Sequence, residues 1–199
     1  TFIGEGLPLN TFYMYKYAGV DPETGDALWY MNVKDENGNV IGREKTATYS
    51  QATQYLCDDP TPDLYGGFGT SLDYSGLDFS VSFTYQIGGL SYDSGYASYM
   101  ASPTNTGAGM NFHRDILNSW TPENRDTDVP RFQYNDQYTA AASDRFLVNA
   151  SYLNIQNAQI GYTFPQRMTR NMHFNKLRVY VACDNIWYWS CRQGLDPRQ

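Results

Sequence analysis

The sequence predicts an all-β chain whose antiparallel strands are joined by short turns at one end and by long loops at the other. Turn-forming residues are dense and helical periodicity is scarce, whereas apolar and polar residues alternate in several segments. Charged residues make up 18% of the 199 residues and aromatic residues 16%, with a mean hydropathy of −0.57. The polarity therefore comes mainly from uncharged side chains, which suits strands with one apolar and one polar face.

The clearest strand covers residues 78–86, where apolar side chains alternate with Ser, Thr and Gln. The two-residue repeat of a strand places its apolar side chains on one face. They are Phe79, Val81, Phe83 and Tyr85. A matching alternation runs through residues 68–74, and Ser75-Gly76-Leu77 between the two segments predicts a tight hairpin.

A second pair of strands is predicted at residues 152–163 and 176–186. In the latter strand, Leu177, Val179 and Val181 share one face. The link between the strands begins with Phe164-Pro165, and proline interrupts a strand ladder because it lacks an N–H donor. We expect one short helical turn in this link.

The remaining sequence is organised as two long loops, residues 3–63 and 88–149, which alternate with strand hairpins at 64–87 and 150–187. Turn signals such as Asp35-Glu36-Asn37-Gly38-Asn39 flank short strand-like pieces in the first loop. The second loop contains a predicted short helix at 111–120, which ends before Pro122 because the residue preceding proline disfavours helix. Loops of this length are unusual in compact domains unless they are functional.

Composition excludes several function classes. With a net charge of −7 and a sequence pI of about 4.7, electrostatic attraction to nucleic-acid phosphates is a poor basis for binding. The sequence contains no run of about 18 to 20 apolar residues, so a helical membrane protein is excluded. Membrane barrels are not excluded, because their alternating strands give a much weaker hydropathy signal.

Two architectures explain the alternation equally well. In a soluble sandwich the apolar face of each strand would form the core, and in a membrane barrel it would face lipid while the polar face lines an aqueous passage. Short turns at one end and long loops at the other are typical of transmembrane barrels. A soluble carbohydrate-binding β-sandwich remains an alternative, and a glycoside hydrolase fragment is a second.

Several motifs, in this order and spacing, resemble the SusC/RagA family of TonB-dependent outer-membrane transporters from Bacteroidetes-type bacteria. The longest is residues 62–89, which includes the first hairpin. The others are AGVDPETG at 18–25, WTPEN at 120–124, DVPR at 128–131, SYLNIQN at 151–157, GYTFP at 161–165, LRVYV at 177–181 with Asp184-Asn185, and GLDP at 194–197.

This resemblance implies a partial β-barrel, with about four membrane strands and two extracellular loops. It implies an importer in the outer membrane that takes up an oligosaccharide or a peptide without a cofactor. It also implies a SusD-like lipoprotein as the lid and the TonB complex as the energy source. The signal peptide, the plug and the terminal barrel strands of the family have no counterpart here, so we expect a late portion of the barrel.

Candidate site residues are expected in the loops and on the strands. Trp29, Tyr30 and Trp120 lie in the expected loops, where aromatic planes could stack on sugar rings or instead pack the loops internally. The residues expected to face lipid are Phe79, Val81, Phe83, Tyr85, Leu177, Val179 and Val181. Tyrosines near the strand ends are expected in interfacial girdles; they are Tyr65, Tyr74, Tyr85, Tyr162 and Tyr188.

No residue pattern indicates a metal site or catalysis. An EF-hand loop counted from Asp35 would need glycine at Val40, so a solvated turn is the better interpretation. His113 and His173 are expected at the surface, and a Cys183–Cys191 disulfide is left open by the sequence. The sequence lacks GxSxG, HExxH and P-loop motifs, and we expect no enzymatic activity.

Overall fold

The structure is a computed structural model that describes residues 1–102, 111–136, 138–170, 174–192 and 195–196. Its strands are β1 (Tyr13–Tyr15), β2 (Tyr17–Val20), β3 (Ala27–Lys34), β4 (Val40–Thr46), β5 (Gln54–Leu56), β6 (Leu64–Tyr74), β7 (Leu77–Ile87), β8 (Leu90–Tyr92), β9 (Leu147–Asn149), β10 (Tyr152–Thr163) and β11 (Arg178–Ser190). The helices are α1 (Ser94–Tyr99) and α2 (Gln166–Thr169), with 3₁₀ turns at Tyr49–Gln51, Arg114–Asn118 and Asp144–Phe146. Among these described helices, none has the length and apolar character needed to cross a membrane.

The chain forms two compact units. Thr1–Pro60 and Ser91–Val148 make up one, which we call the loop unit. Thr61–Leu90 and Asn149–Gln199 make up the other, which we call the strand unit. Each unit is therefore assembled from two segments that are distant in sequence.

The strand unit is a four-stranded antiparallel sheet in the order β11-β10-β7-β6. β6 and β7 form the predicted hairpin, in which Tyr74 pairs with Leu77 across the two-residue turn Ser75-Gly76. Both turn residues have positive φ, 49° and 90°, as the type I′ turn of a tight hairpin requires. The sequence prediction of this hairpin is confirmed, and the strands extend further than the alternation alone indicated.

A β-bulge in β10 changes the register of the sheet. Between Ile155 and Asn157, β10 contains one residue more than the paired part of β7. At the same place, the paired part of β11 contains one residue more than β10. Bulges bend a strand and increase its twist. Because of the extra residues, Ile155 and Ala158 lie on the same face despite their odd spacing, and the apolar face continues along the whole strand.

The sheet has one apolar and one polar face over its full width. Register pairs place Phe68, Phe83, Ile155 and Trp187 in one apolar row across the four strands. A parallel row on the opposite face contains Ser71, Ser80, Gln159 and Ala182. The sequence alternation of single strands is thus aligned into two continuous surfaces of opposite polarity.

An ion pair joins strands that lie two apart on the polar face. Arg178 of β11 donates through Nε to Asp78 of β7 at 3.0 Å, and its Nη2 donates to the second carboxylate oxygen. The pair passes directly over Gly161 of β10, where a Cβ atom would lie within 2.8 Å of the carboxylate and the guanidinium. Glycine at this position leaves the space through which the two side chains meet.

The loop unit contains more regular structure than the sequence predicted. The segment predicted as the first loop folds into the three-stranded sheet β2-β3-β4 and contributes both strands of the β1-β5 pair. A core cluster of Ala97, Met100, Val129 and Phe146 lies among residues of the second segment. The Tyr49 side chain links the two segments. Its hydroxyl donates to Ala142 O at 3.0 Å, and its ring lies 5.9 Å from the ring of Tyr138.

The helical segments agree only in part with the sequence predictions. The predicted helical turn after Pro165 is confirmed as α2. The helix predicted at 111–120 is wrong in type and length, because only Arg114–Asn118 turns, and it does so as a 3₁₀ helix. Helix α1 was not predicted from the sequence. Its first turn is capped by the Asp93 carboxylate, which accepts the Tyr96 N–H at 2.8 Å.

We predict opposite stability changes at the two residues of the β6–β7 turn. Ser75→Asn will stabilise the full-length protein by about 0.5–1 kcal/mol, because asparagine tolerates positive φ better than serine in a type I′ turn. Gly76→Ala will destabilise it by about 1–3 kcal/mol, because the added Cβ would lie 2.6 Å from the backbone oxygen of Thr163. Urea unfolding in detergent measures both changes, and a destabilising Ser75→Asn or a neutral Gly76→Ala would contradict this turn geometry.

Candidate functional site

The residues expected to face lipid share one surface of the sheet. Phe79, Val81, Phe83 and Tyr85 lie on the apolar face of β7, and Val179 and Val181 lie on the same face of β11. The side chains of Phe79, Val179 and Val181 are 36%, 57% and 62% exposed. Leu177 lies one residue before β11 and accepts the backbone N–H of Phe164 at 2.9 Å. The structure therefore gathers these residues on an uncovered apolar surface of the strand unit.

The tyrosines near the strand ends divide between the two faces. Tyr74, Tyr85 and Tyr162 lie on the apolar face by their register, whereas Tyr65 and Tyr188 lie on the polar face. A lipid-facing aromatic girdle needs side chains on the apolar face. The assignment of all five tyrosines to a girdle therefore fails for Tyr65 and Tyr188, because sequence position near a strand end does not specify the face.

Trp29 is buried in the loop unit, with 2% of its surface exposed. Its ring packs edge-on against Tyr49 and Tyr138, at centroid distances of 5.1 and 6.3 Å. Tyr30 follows on the opposite side of β3 and is half-buried. The surroundings of Trp29 favour the packing alternative that the sequence left open, so Trp29 is not a freely exposed stacking plane.

Trp120 holds a turn of the first segment in place. Its Nε1–H donates to Pro22 O at 3.2 Å, and its ring lies where a Cβ on Gly25 would be, within 2.4 Å. Gly25 also has a φ of 77°, which favours glycine. Next to this contact, the Arg131 N–H donates to Gly25 O at 2.8 Å. The motifs at 18–25, 120–124 and 128–131 thus meet in one place, where Trp120 acts in packing.

A cleft of about 170 Å³ opens beside this junction in the loop unit. Its walls combine aromatic, acidic, basic and amide side chains. They include Asp26, Trp29, Arg131, Gln133, Asp136 and Tyr138. Of these residues, only Trp29 was expected as a site residue from the sequence. Asp26 directly follows the motif at 18–25, and Arg131 is the last residue of the motif at 128–131. These positions are the one sequence signal that could have identified them as site residues.

Two residues that line this cleft each contain a buried N–H donor. Trp29 Nε1 and Arg131 Nε are both buried, and neither donates to an acceptor in the part of the chain that the structure describes. The other end of the Arg131 guanidinium pairs with Asp26 at 2.9 Å. Leaving a buried donor unpaired costs about 1–3 kcal/mol. Both donors therefore belong to residues that line the cleft, and both atoms are shielded from solvent.

The wall of the cleft near Asp136 is fixed by Ser102. The Ser102 hydroxyl donates toward Gln133 O at 2.8 Å and accepts the Asp136 N–H at 3.1 Å. The Asp136 carboxylate accepts the Tyr138 N–H at 2.8 Å and the Thr139 hydroxyl. This turn is therefore held by its own hydrogen bonds, and it positions a carboxylate and a tyrosine ring at the cleft.

A half-buried polar junction around Tyr17 joins the two segments of the loop unit. The Tyr17 hydroxyl donates to Asp128 O and its N–H donates to the Asp144 carboxylate, both at 2.8 Å. The Arg145 guanidinium lies 5.0 Å from the centre of the Tyr17 ring. Burial raises the pKa of Tyr17 to about 12 and also raises the pKa of Asp144 above its ordinary range.

The acidic turn at Asp35 uses its carboxylate locally. Asp35 accepts hydrogen bonds from the side chain of Asn39 and from the backbone N–H groups of Asn37 and Asn39. These bonds, led by the one from the Asn39 side chain, lower the pKa of Asp35. In the described ranges, no group of three or more His, Cys, Asp and Glu side chains could hold a metal ion.

The histidines and cysteines have separate surroundings. His113 Nδ1 accepts the Asp115 N–H at the start of the 3₁₀ turn, and His173 lies outside the described residues. Cys183 is within β11 and Cys191 directly follows it. Eight residues of extended strand separate Cα atoms by about 26 Å, and a disulfide needs less than about 7 Å. A Cys183–Cys191 bond is therefore incompatible with this strand.

Comparisons with known proteins identify TonB-dependent receptors and a transporter as similar. The TonB-dependent receptor P3 of Formosa agariphila is 28% identical over 97% of this chain and 19% of its own length. The TonB-dependent receptor SusC of Bacteroides thetaiotaomicron is 27% identical over 96% of this chain and 17% of its own. No protein-family model matches the chain.

Solved structures give the same result. The structure of the RagAB peptide transporter matches 94% of this chain and 20% of the transporter chain, with 30% identity and a TM-score of 0.74. A structure of the RagAB peptide importer in the "open-open" state matches with 28% identity and a TM-score of 0.71. The predicted resemblance and the antiparallel barrel-strand fold are thereby confirmed, and the sheet of this chain by itself does not close.

The chain spans about a fifth of the length of the relatives it matches. These relatives are described as receptors and as a transporter, in agreement with the expectation that the chain is not an enzyme. Receptors of this type are outer-membrane proteins of Bacteroidetes, which agrees with the predicted location.

We predict that Tyr17→Phe will destabilise the loop unit by about 0.5–1.5 kcal/mol, because it removes the hydrogen bond from the Tyr17 hydroxyl to Asp128 O. The pKa of Tyr17 is raised from its ordinary value of 10 to about 12 on folding. Its hydroxyl therefore contributes stability below pH 10, and this contribution is lost as the pH rises from about 10 to about 12. The stability difference between wild type and variant will shrink over that interval.

Urea titrations of the full-length protein at pH 8 and pH 11.5 test this prediction. Tyr134→Phe is the control, because Tyr134 is an exposed tyrosine of the same unit. If the difference in the free energy of unfolding between wild type and Tyr17→Phe is the same at both pH values, the assigned role of the hydroxyl is contradicted.

Proposed function

We propose that the chain, which is similar to SusC and to the RagAB transporter, forms part of the wall and outer loops of an outer-membrane importer. The strand unit is a segment of the barrel, with its apolar face toward lipid and its polar face toward an aqueous passage. The loop unit lies outside the membrane and takes part in substrate capture. The cargo is an oligosaccharide or a peptide.

The uncovered apolar face of the four-stranded sheet is the observation that carries this proposal. Phe79, Val179 and Val181 are exposed on it, and the described part of the strand unit contains a single sheet with no second layer. A soluble β-sandwich would bury this face against a second sheet. A lipid bilayer covers such a face without any further protein layer.

Strand length supports the same assignment. The four strands have 11 to 13 residues. At about 3.3 Å per residue they measure roughly 36–43 Å, and a tilt of about 45° reduces this to roughly 26–30 Å across the membrane. The apolar band of an outer-membrane barrel is about 25 Å tall. Each strand is therefore long enough for one crossing.

The polar face provides the chemistry of a water-filled passage. Ser80, Ser82 and Thr84 line it on β7, and the Asp78–Arg178 ion pair lies near its short-turn end. Charged and hydroxyl side chains are costly toward lipid and are suited to a polar barrel interior. The ion pair on this face would be hard to explain if the faces were reversed.

The proposed importer has two protein partners. A SusD-like lipoprotein covers the loop side of the importer, and the TonB complex supplies energy through parts of the protein outside this sequence. RagAB, with which the chain shares its fold, is described as a peptide importer, and the related receptor SusC supports pairing with a SusD-like protein. Trp29, Tyr30 and Trp120 contribute to the loop unit in this scheme through its packing.

We predict that environment-sensitive labels on adjacent residues of β7 will report opposite surroundings. Val81→Cys and Ser82→Cys, each labelled with the fluorophore bimane in the full-length protein, differ by one strand position and therefore by face. In vesicles containing brominated lipids, the label at 81 will be quenched by the lipid. The label at 82 will be quenched by iodide from the aqueous phase.

Reversed quenching, or equal quenching at both positions, would contradict the proposed orientation of the sheet. A label at 81 shielded from both quenchers would indicate a protein layer over the apolar face and would support the sandwich alternative. Loss of substrate uptake by cells that lack TonB tests the transport step separately.

A further inference from the structure

We propose that Arg167 and Arg170, in the connector between β10 and β11, bind the headgroup of an anionic phospholipid at the short-turn end of the sheet. The connector is the segment 164–177, of which 164–170 and 174–177 are described. The inference rests on the proposed importer function, because it takes the apolar face of the sheet to lie in a membrane. It adds a lipid headgroup as a specific partner, which contact of the apolar face with acyl chains does not require.

The connector is a basic segment within an acidic chain. The chain has 21 Asp and Glu residues, 14 Lys and Arg residues and a net charge of −7, yet none of the acidic residues lies in the connector. The charged residues of the connector are Arg167, Arg170 and Lys176. A segment that concentrates positive charge in a negatively charged chain is complementary to an anionic partner.

The two arginines of the connector are exposed and have no partner in the protein. The side chain of Thr169 in α2 turns inward and is buried, whereas Arg167 and Arg170 are exposed. Neither arginine forms an ion pair or a side-chain hydrogen bond within the ranges that the structure describes. Lys176 differs, because it lines a cleft on the polar face together with Asp78. Arg167 and Arg170 are therefore the charges of the connector that remain available to a partner.

The connector begins on the apolar side of the sheet. The ring of Phe164 packs edge-on against the ring of Tyr162 at a centroid distance of 5.1 Å, and Tyr162 lies on the apolar face. Further along the connector, Met168 and Phe174 are 59% and 52% exposed. Segments at a membrane surface combine apolar side chains that enter the lipid with basic side chains that reach the headgroups. The connector has both kinds of side chain exposed.

The connector lies where the membrane strands end. The Thr163 N–H at the end of β10 donates to Gly76 O in the β6–β7 turn at 2.7 Å, and the Phe164 N–H donates to Leu177 O at 2.9 Å. The connector and the β6–β7 turn therefore share one end of the sheet. Strands that cross the membrane once place this end at the level of the headgroups, where arginine charges attract anionic lipids.

The test measures lipid enrichment next to the connector in the full-length protein. The native cysteines are replaced by serine, and Gln166→Cys, at an exposed position beside Arg167, carries bimane. Phosphatidylcholine vesicles contain brominated phosphatidylglycerol or, at the same mole fraction, brominated phosphatidylcholine. We expect quenching by the phosphatidylglycerol to be greater by about twofold or more. This excess will disappear in 1 M salt, where the Debye length is about 3 Å.

Two matched variants locate the charges that are responsible. The variant Arg167→Gln/Arg170→Gln removes both connector charges, and we expect it to lose the excess quenching. The variant Arg114→Gln/Arg125→Gln makes the same change in net charge at two exposed arginines of the loop unit, and it will keep the excess. Bimane at Val81→Cys in each variant will be quenched by lipid as in the parent, which shows that the sheet still folds in the membrane.

Three results would overturn the proposal. Equal quenching by the two lipids would show that the connector does not prefer anionic headgroups. Absence of quenching by either lipid would show that the connector lies away from the bilayer or is covered by protein. An excess that survives in Arg167→Gln/Arg170→Gln, or that both variants lose equally, would assign the effect to charges elsewhere.

The importer proposal is tested separately by the label at position 81. Lipid quenching at 81 without a preference for phosphatidylglycerol at 166 contradicts only the inference about the connector. Absence of lipid quenching at 81 contradicts the assignment of the sheet to the barrel wall, whatever the label at 166 reports.

Discussion

The alignment of apolar side chains into one continuous face is the constraint on which the strand unit depends. Alternation within a strand has a period of two, and antiparallel pairing carries it across four strands only while the register is kept. The bulge at Gln156 and the extra residues of β11 shift the register without breaking this face. A slip by a single residue would send Ser and Thr to the apolar side and Phe and Val to the polar side.

The loop unit depends on a different kind of interaction. Its two segments are distant in sequence, and they are joined by specific polar and aromatic contacts in addition to a small apolar core. Trp120 on Gly25, Arg131 with Asp26, and Tyr17 with Asp128 and Asp144 each connect the first segment to the second. These contacts place the cleft at the junction, so its geometry requires both segments to be folded together.

The sequence predicts the strand unit well because its information is local. Period-two alternation within residues 68–74 and 78–86 and a Ser-Gly turn between them are visible without any knowledge of tertiary contacts. Face assignment of isolated residues was less reliable: Tyr65 and Tyr188 are near strand ends, yet their register places them on the polar face.

The loop unit was predictable only in its turns. Most of its strands are three to four residues long, which is too short for a periodicity signal, and bulges interrupt the pairing of β2, β3 and β4. The partners of Arg131 and Ser102 are separated from them in sequence by many residues, so the cleft could not be assembled from spacing. Trp29 was singled out as an aromatic loop residue, but only the fold shows that it is buried with an unpaired donor.

The most direct test of the central claim is an electron cryomicroscopy structure of the full-length protein in lipid nanodiscs. The account predicts that acyl chains contact Phe79, Phe83 and Val181, and that the free edges of β6 and β11 pair with further strands in a closed barrel. A map in which protein side chains cover those three residues, with lipid absent from that face, would contradict it.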